Sequence, residues 1–190
     1  MEPDNHESLR SRLADLLSHK SVQLGEFKLS SGQHSNFYID ARLSTMSAGG
    51  LDLIGRLGLW VIRDAGWRVD TVGGLTLGAD PVAYALALAS RAEPPEFDAF
   101  TVRKNSKRHG TGKAIEGCLR PGATALVVED VITTGSSAIR AIEAVEASGA
   151  TVCGVLAVVD RDQGGVTALE SAGYTVRTLL TLADLGLPTE

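Results

Sequence analysis

The sequence predicts an α/β fold with a central, mostly parallel sheet flanked by helices. Apolar runs of strand length alternate with helical segments along most of the chain, which is the pattern of strand–helix–strand units. Two of these runs, Ala123–Val128 and Thr151–Val159, are almost continuously apolar, as strands covered on both faces are. The length of 190 residues suits one domain, and no repeat or flexible linker divides it. We therefore expect residues 1–190 to form a single domain.

The first ninety residues or so predict two long helices, a β-rich segment and the start of the sheet. Leucines on one side of Glu7–Ser18 predict a helix, and a second amphipathic pattern predicts another over Ala48–Ala65. Between them, Val22–Asp40 contains short β-prone pieces around a Ser-Ser-Gly turn. The chain then predicts a short strand over Val69–Val72 and a helix from about Pro81.

The second half continues this alternation. Strands are predicted at Phe97–Arg103, Ala123–Val128, Thr151–Val159 and Tyr174–Leu180, and helices at Ser137–Ala147 and Val166–Ala172. In a parallel sheet, ligands bind beyond the carboxyl ends of the strands. The polar segments that fall at such ends are Gly73–Asp80, Glu129–Ser137 and Asp160–Gly165.

Charge and hydropathy argue against some classes of protein. The formal net charge is −5, which argues against a nucleic-acid binder that relies on overall positive charge. No uncharged apolar run approaches the roughly 18 residues of a membrane span. The N-terminal segment MEPDNHESLRSRLADLL carries charges where a secretory signal needs an apolar core. The sequence therefore predicts a cytoplasmic protein with neither a nucleic-acid nor a membrane partner.

The stretch Ala125–Ser137, ALVVEDVITTGSS, combines an acidic pair, where we expect the strand to end, with a polar turn. The carboxylates of Glu129 and Asp130 could accept hydrogen bonds from vicinal hydroxyls or help to hold a hard cation such as Mg²⁺. The turn opens a helix, where unpaired backbone N–H groups and the helix dipole favour a phosphate. A diol site beside a phosphate site predicts recognition of ribose 5-phosphate. The alternative is an acidic strand end followed by an ordinary serine N-cap.

A second segment, Thr101–Gly117, is strongly cationic and reads TVRKNSKRHGTGKAIEG. Its alternative interpretation is a solvated basic loop. A flexible cationic flap, however, could close over a diphosphate leaving group, exclude water and neutralise the developing charge. The segment is not a nucleotide-binding P-loop, because Lys107 and Ala114 stand where that motif requires a glycine and a serine or threonine.

These motifs resemble those of a known family. ALVVEDVITTGSS is similar to the phosphoribosyl-diphosphate motif of the type I phosphoribosyltransferases, and Arg103–Gly117 resembles the catalytic loop of the orotate phosphoribosyltransferases among them. Phe27–Arg42 is similar to that family's N-terminal hood over the pyrimidine, and Val158–Arg161 to its base-contacting strand end. The resemblance covers about Leu13 to Leu185. It implies a type I phosphoribosyltransferase fold with a small hood at about residues 20–42 and a mobile catalytic loop at about residues 103–116.

The resemblance also implies a reaction and its participants. The reaction would be Mg²⁺-dependent transfer of ribose 5-phosphate from phosphoribosyl diphosphate to orotate, a step of pyrimidine biosynthesis, by a homodimer whose loops reach into each other's active sites. The residues implied in catalysis are Lys107, His109 and Asp130. Those implied in binding phosphoribosyl diphosphate are Arg103, Lys104, Lys107, His109, Glu129, Asp130, Val131, Ile132, Thr133, Thr134, Gly135, Ser136 and Ser137, and those implied in binding orotate are Tyr38, Ile39, Thr133 and Arg161. Mg²⁺ is expected to bind mainly through substrate oxygens and water.

Two positions depart from the family pattern. Gly73–Pro81 lacks the lysine that some members direct at the diphosphate, so backbone amides, with a metal near Asp80, would have to serve instead. Ser30 likewise stands where some relatives have a lysine.

Alternatives stay open for one residue and for the function. Arg161 could form an ion pair with Asp160 or Asp162 instead of facing a ligand. The rival functions are phosphoribosyl transfer to another base, such as a purine, and non-catalytic sensing of phosphoribosyl diphosphate.

Overall fold

The computed structural model describes residues 5–28, 34–104 and 114–189. In chain order the elements are α1 (His6–Lys20), β1 (Val22–Lys28), β2 (His34–Ile39), α2 (Arg42–Thr45), α3 (Ala48–Asp64), β3 (Thr71–Leu75), α4 (Ala79–Ser90), β4 (Asp98–Val102), β5 (Ile115–Gly117), β6 (Thr124–Ile132), α5 (Ser136–Ala147), β7 (Thr151–Asp160), α6 (Gly165–Ser171), β8 (Val176–Thr181) and a 3-10 turn (Ala183–Leu185).

A six-stranded sheet forms the centre, with the strand order β5-β4-β3-β6-β7-β8. All neighbouring strands are parallel except β5, which runs antiparallel to β4 at one edge. A separate antiparallel hairpin, β1-β2, stands at the position predicted for the hood. The predicted α/β class and the mostly parallel sheet are confirmed.

Two apolar layers cover the faces of the sheet, and β6 contributes to both. Leu126 and Val128 pack into the cluster that includes residues of α1, α3 and α4. Ala125 and Val127 point the other way, into the cluster built around α5. This alternation follows from the two-residue period of a strand, and it explains why the run is apolar at successive positions.

Helices α3 and α4 approach each other closely because α3 carries glycines on the contact face. A Cβ on Gly55 would lie 2.8 Å from the carbonyl oxygen of Ala85 and 2.9 Å from the Cβ of Ala89. Ser47 caps the start of α3, since its hydroxyl accepts a hydrogen bond from the Gly50 N–H at 3.1 Å. No helix within the described ranges combines the length and the hydropathy that crossing a bilayer would require.

The main difference from the sequence-based expectation lies in β6. The strand was expected to end at the acidic pair, but it continues to Ile132 because Val131 and Ile132 still pair with Val159 and Asp160 of β7. Consequently Glu129 and Asp130 are consecutive residues of a strand, and their side chains point to opposite sides. The short elements α2, β5 and the 3-10 turn were not predicted.

Candidate active site

The three polar segments that follow β3, β6 and β7 meet at one edge of the sheet, as the sequence predicts. Gly78 lies so close to Asp130 that a Cβ there would stand 2.6 Å from the carboxyl carbon. Gly165 is equally close to the turn after β6, since its Cβ would stand 2.7 Å from the Gly135 nitrogen. The backbone N–H of Arg161 donates to the carbonyl of Ile132 at 3.0 Å. These contacts hold the segments together as one site.

The turn between β6 and α5 forms a small recess suited to an anion. We call it the anion recess; its lining residues are Glu129, Val131, Ile132, Thr133, Gly135, Ser136, Ser137 and Ala138. Gly135, at φ 77°, is the residue preceding α5 and has no side chain with which to cap it. The Ser136 N–H donates to the Thr134 hydroxyl at 3.5 Å. The N–H groups that follow it in the first turn can serve a ligand, at the end of the helix dipole that favours negative charge.

Glu129 projects into this recess and is nearly inaccessible to solvent, with 6% of its surface exposed. Within the described ranges its Oε1 has no hydrogen-bond partner. Burial raises the pKa of Glu129 to about 8; the neighbouring Asp130 charge acts in the same direction and Lys104 in the opposite one. Glu129 therefore lies at the anion recess, and the role of the acidic pair toward the ribose hydroxyls stays a prediction.

Asp130 faces the other side, toward Gly78 and the segment after β2. Burial raises the pKa of Asp130, and a hydrogen bond from the Val131 N–H, 2.9 Å away, opposes that rise. The positive charge of Arg42 also lowers the pKa of Asp130. An acceptor held beside this loop can receive hydrogen bonds from ribose hydroxyls.

Arg42 is a member of the site that the sequence did not assign a role. Its guanidinium donates to both carboxylate oxygens of Asp40, at 2.8 and 3.1 Å. Those hydrogen bonds hold the pKa of the Asp40 carboxyl below its usual value. The spacing Asp40-x-Arg42 directly after a strand is the only sequence signal that could have pointed to this pair.

On the hood side, Arg161 is buried, with 5% exposure, at the end of β7. One guanidinium nitrogen donates to the Ser35 hydroxyl at 3.2 Å, and the guanidinium carbon lies 5.1 Å from the centre of the Phe37 ring. Both partners belong to β2. The structure thus brings together the predicted hood and the predicted base-contacting strand end.

The two hood residues assigned to orotate lie on opposite faces of β2. Ile39 points inward with Ser35 and Phe37 and is part of the core, whereas Tyr38 points outward and packs against Phe27, with ring centres 5.7 Å apart. Thr133 lies in the anion recess. The roles of Tyr38, Ile39 and Thr133 toward orotate stay predictions.

An ion pair and hydrogen bonds hold the residues at the base of the cationic loop. The Arg103 guanidinium forms an ion pair with Glu116 at 2.6 Å. The backbone N–H of Arg103 donates to the carbonyl of Ala114. Arg140 of α5 donates to the carbonyl of Lys104 at 2.7 Å, which connects the loop base to the helix that follows the anion recess. Lys107 and His109 lie outside the described residues, as does Ser30, so their roles also stay predictions.

The loop after β3 leads to a carboxylate that already accepts hydrogen bonds within the chain. Asp80 accepts hydrogen bonds from the hydroxyls of Thr76, at 2.7 Å, and Thr101, at 2.9 Å. Across the described part of the chain, no three histidine, cysteine or acidic side chains come together as a metal site. The suggestion of a metal near Asp80 stays a prediction.

Comparison with known proteins gives a consistent family assignment. The phosphoribosyl transferase domain family matches residues 47–178. The curated orotate phosphoribosyltransferase of Mycobacterium tuberculosis (strain ATCC 25618 / H37Rv) is 46% identical over 178 residues, covering 94% of this chain and 97% of that protein.

Solved structures agree with this assignment. The M. tuberculosis H37Rv orotate phosphoribosyltransferase in complex with Fe(III) dicitrate matches with a TM-score of 0.84 at 46% identity, over 94% of this chain and 99% of that one. The same enzyme in complex with phosphoribosyl diphosphate matches with a TM-score of 0.77 at 40% identity, over 94% and 92%. Sequence, fold and site agree: the chain is a pentosyltransferase and belongs to the orotate phosphoribosyltransferases of the type I phosphoribosyltransferase family.

Proposed function

We propose that the protein transfers ribose 5-phosphate from phosphoribosyl diphosphate to N1 of orotate, with Mg²⁺, forming orotidine 5′-monophosphate and diphosphate. The observation that carries the proposal is the pairing of two subsites at one edge of the sheet. The anion recess offers helix N–H groups to a phosphate. The buried Arg161, held by Ser35 and Phe37, offers a planar cation to an anionic base.

In this reaction the bond between the anomeric carbon and the diphosphate breaks ahead of attack, which leaves positive character on the ribose ring. A new bond then forms to N1 of orotate, and the N1 proton is transferred to solvent. No protein nucleophile is needed. The protein contributes by positioning the two reactants and by stabilising charge. Asp130 would hold the ribose hydroxyls, and its negative charge would favour the cationic ring.

The diphosphate would be stabilised by cations of the loop, where Lys107 and His109 are the assigned residues. Arg103 and Lys104 extend this positive charge to the loop base. Mg²⁺, when bound, would neutralise charge on the diphosphate, held mainly by substrate oxygens and water, with Asp130 as an acceptor for those waters. Removal of Mg²⁺ with a chelator is expected to abolish turnover, and added Mg²⁺ to restore it.

The direct test follows orotate by its ultraviolet absorbance with Mg²⁺ and phosphoribosyl diphosphate present. We expect consumption of orotate and none of adenine under the same conditions. The matched variant is Arg161→Lys, which keeps the positive charge but loses the planar guanidinium that can donate two parallel hydrogen bonds. It is expected to raise the KM for orotate by roughly tenfold while leaving the KM for phosphoribosyl diphosphate nearly unchanged. Failure of the unmodified protein to consume orotate would overturn the proposal.

We further propose that the protein works as a homodimer whose partner covers a groove between α3 and α4. This groove, which we call the α3–α4 groove, encloses about 610 Å³ and is lined mainly by apolar residues, among them Leu51, Tyr84 and Leu88. Tyr84 and Leu88 are 54% and 74% exposed. Large exposed apolar side chains beside a groove are typical of an interaction surface.

A second copy of the chain is the occupant that fits the charges. The rim of the α3–α4 groove carries Asp52, Arg56 and Glu93. Within the chain Arg56 lies 3.6 Å from Asp52, and Glu93 pairs with Arg63, so the rim carries charges of both signs and a second copy would meet the same mixed rim across a two-fold axis. The groove is connected to the loop after β3 through Tyr84, whose hydroxyl lies 3.2 Å from that of Thr101, which in turn donates to Asp80 at 2.9 Å.

A further inference from the structure

We infer that Asp80 is a positioning residue: its carboxylate holds the loop after β3 in the place that keeps Gly78 against Asp130. The loop consists of residues 76–78, between β3 and α4. The inference rests on the proposed function, because it takes Asp130 to be the carboxylate that holds the ribose hydroxyls. It assigns to Asp80 no contact with either substrate, so its effect on the reaction would pass through the loop.

The first argument is the set of hydrogen bonds that Asp80 accepts. The Thr76 hydroxyl, where the loop begins, donates to one carboxylate oxygen at 2.7 Å, and the Thr101 hydroxyl of β4 donates to the other at 2.9 Å. Hydrogen bonds to a charged acceptor are roughly twice as strong as those between neutral groups. Asp80 lies in the first turn of α4. It therefore joins the start of the loop, the neighbouring strand and the following helix.

A third hydroxyl extends this network to the α3–α4 groove. The Thr101 hydroxyl has a single hydrogen, which it donates to Asp80. The Tyr84 hydroxyl, 3.2 Å from that of Thr101, must therefore be the donor of the pair. The hydrogen bonds thus run from Tyr84, which lines the α3–α4 groove, through Thr101 to Asp80. A second copy seated in the groove would hold this chain of hydrogen bonds at its outer end.

The middle of the loop has few anchors of its own. The Thr76 N–H donates to a backbone carbonyl of β4 at 2.8 Å, so pairing with the sheet reaches the first residue of the loop. Beyond it, Leu77 is 51% exposed and Gly78 has no side chain to pack. The position of Gly78 therefore depends on its neighbours, namely the buried Ala79 and the hydrogen bond that ties Thr76 to Asp80.

The second argument is the contact between the loop and Asp130. A Cβ on Gly78 would stand 2.6 Å from the carboxyl carbon of Asp130, so the loop backbone lies directly against the carboxylate. The loop therefore limits where that carboxylate can lie. If the loop is released, the carboxylate can move, and small displacements of a positioned group lower the rate of a reaction steeply.

An alternative role for Asp80 is to stabilise α4, since a negative charge in the first turn of a helix interacts favourably with the helix dipole. That role requires the charge of Asp80 but neither threonine hydroxyl. Removal of the Thr101 hydroxyl therefore separates the two roles, because the charge and the helix both remain.

The test compares Thr101→Val, which loses the hydroxyl, with Thr101→Ser, which keeps it. Orotate consumption measures activity, and thermal unfolding measures stability. We expect Thr101→Val to lower kcat/KM for phosphoribosyl diphosphate by roughly tenfold, with the KM for orotate changed by less than about twofold. Thr101→Ser should retain most of the activity. The matched control is Thr178→Val, a half-buried threonine of β8 at the other edge of the sheet, which should behave as the unmodified protein.

A double variant tests whether the effect passes through Gly78. In Gly78→Ala the Asp130 carboxylate is already displaced, so the further loss caused by adding Thr101→Val should be less than about threefold. Thr76→Val, which removes the other hydroxyl from Asp80, should resemble Thr101→Val in the otherwise unmodified chain.

Each outcome supports or overturns a particular step. No orotate consumption by the unmodified protein would overturn the proposed function, and the inference with it. If the unmodified protein is active and Thr101→Val is equally active, the positioning role is wrong while the proposed function stands. The same loss in Thr101→Ser as in Thr101→Val, or the same loss in the Gly78→Ala background, would also overturn the role. If Thr101→Val fails to fold, Thr76→Val and Thr76→Ser decide by the same criteria.

Discussion

At the scale of single residues, Gly78 keeps Asp130 in place by having no side chain. A Cβ on Gly78 would stand 2.6 Å from the carboxyl carbon of Asp130 and 2.7 Å from one of its oxygens. The backbone of Gly78 is ordinary for any residue, at φ −64° and ψ −42°. Glycine is therefore required at this position because a side chain would not fit, and not because of the backbone conformation. The Asp130 carboxylate, which we propose holds the ribose, occupies the space that a side chain would need.

Gly78→Ala is accordingly expected to impair catalysis more than folding. The added methyl must displace the Asp130 carboxylate, and displacements near 1 Å in a positioned group lower kcat/KM by roughly tenfold to a hundredfold. Orotate consumption measures the activity, and thermal unfolding measures the stability. The control is Gly49→Ala, where a Cβ meets nothing within 4 Å. Equal activity in the two variants would contradict the assigned role of Asp130.

The sequence identified most residues of the candidate site but not the directions in which their side chains point. The acidic pair, the Thr133–Ser137 turn and Arg161 were found from their order along the chain, and the structure brings them to one edge of the sheet. The opposite orientations of Glu129 and Asp130 were missed, because they depend on pairing between β6 and β7. Arg42 was missed because its only signal, an aspartate two residues earlier, is common in solvated turns.

At the scale of elements, local sequence explains most helices and the buried strands. Each helix bound that the sequence predicted lies within two residues of the observed one, since periodicity and caps are local properties. Strand β5 was not predicted, because Ile115–Gly117 has no apolar run and is a strand only through its pairing with β4. The continuation of β6 was missed because carboxylates are poor strand formers.

The packing of α3 on α4 gives a prediction at this scale. Gly55→Ala places a methyl within 3 Å of Ala85 and Ala89, and overpacking of this kind costs about 1–3 kcal/mol of unfolding free energy. Gly49→Ala adds a methyl to the same helix at a position where it meets nothing within 4 Å. The free energy of unfolding of this variant should stay the same or rise by up to about 1 kcal/mol. Urea unfolding of both variants measures the difference. If both variants unfold at the same urea concentration, the helices do not need the glycine.

At the scale of the whole molecule, the alternation of strands and helices in the sequence was enough to predict the class of fold. The sequence did not predict the α3–α4 groove. Its apolar residues lie on helices whose other faces are buried in the core, and a periodic pattern does not separate a core face from an interface face. The family resemblance implied the homodimer, and the α3–α4 groove is the location that we propose for its interface.

Leu88→Glu is expected to separate the proposed dimer. Leu88 is 74% exposed in the single chain, so a charge there leaves the core untouched but opposes burial of the α3–α4 groove by a second copy. Sedimentation should show a dimer for the unmodified protein and a shift toward monomer for the variant. Ala168→Glu, at an exposed position of α6 away from the groove, should remain a dimer. A dimer unaffected by Leu88→Glu would place the interface elsewhere.

Sharing of the active sites between copies can be tested by mixing two inactive chains. Lys107→Ala removes a loop cation, and Asp130→Asn removes the carboxylate proposed to hold the ribose. If the loop acts in the neighbouring copy's site, a mixed dimer contains one site with both defects and one with neither. Mixing equal amounts, with time for exchange, should therefore restore roughly a quarter of the unmodified activity, since about half of the dimers are mixed. If the loop acts within its own chain, every site keeps one defect and mixing restores nothing. The Leu88→Glu change, added to both chains, should abolish the restoration, which would connect the shared sites to the α3–α4 groove.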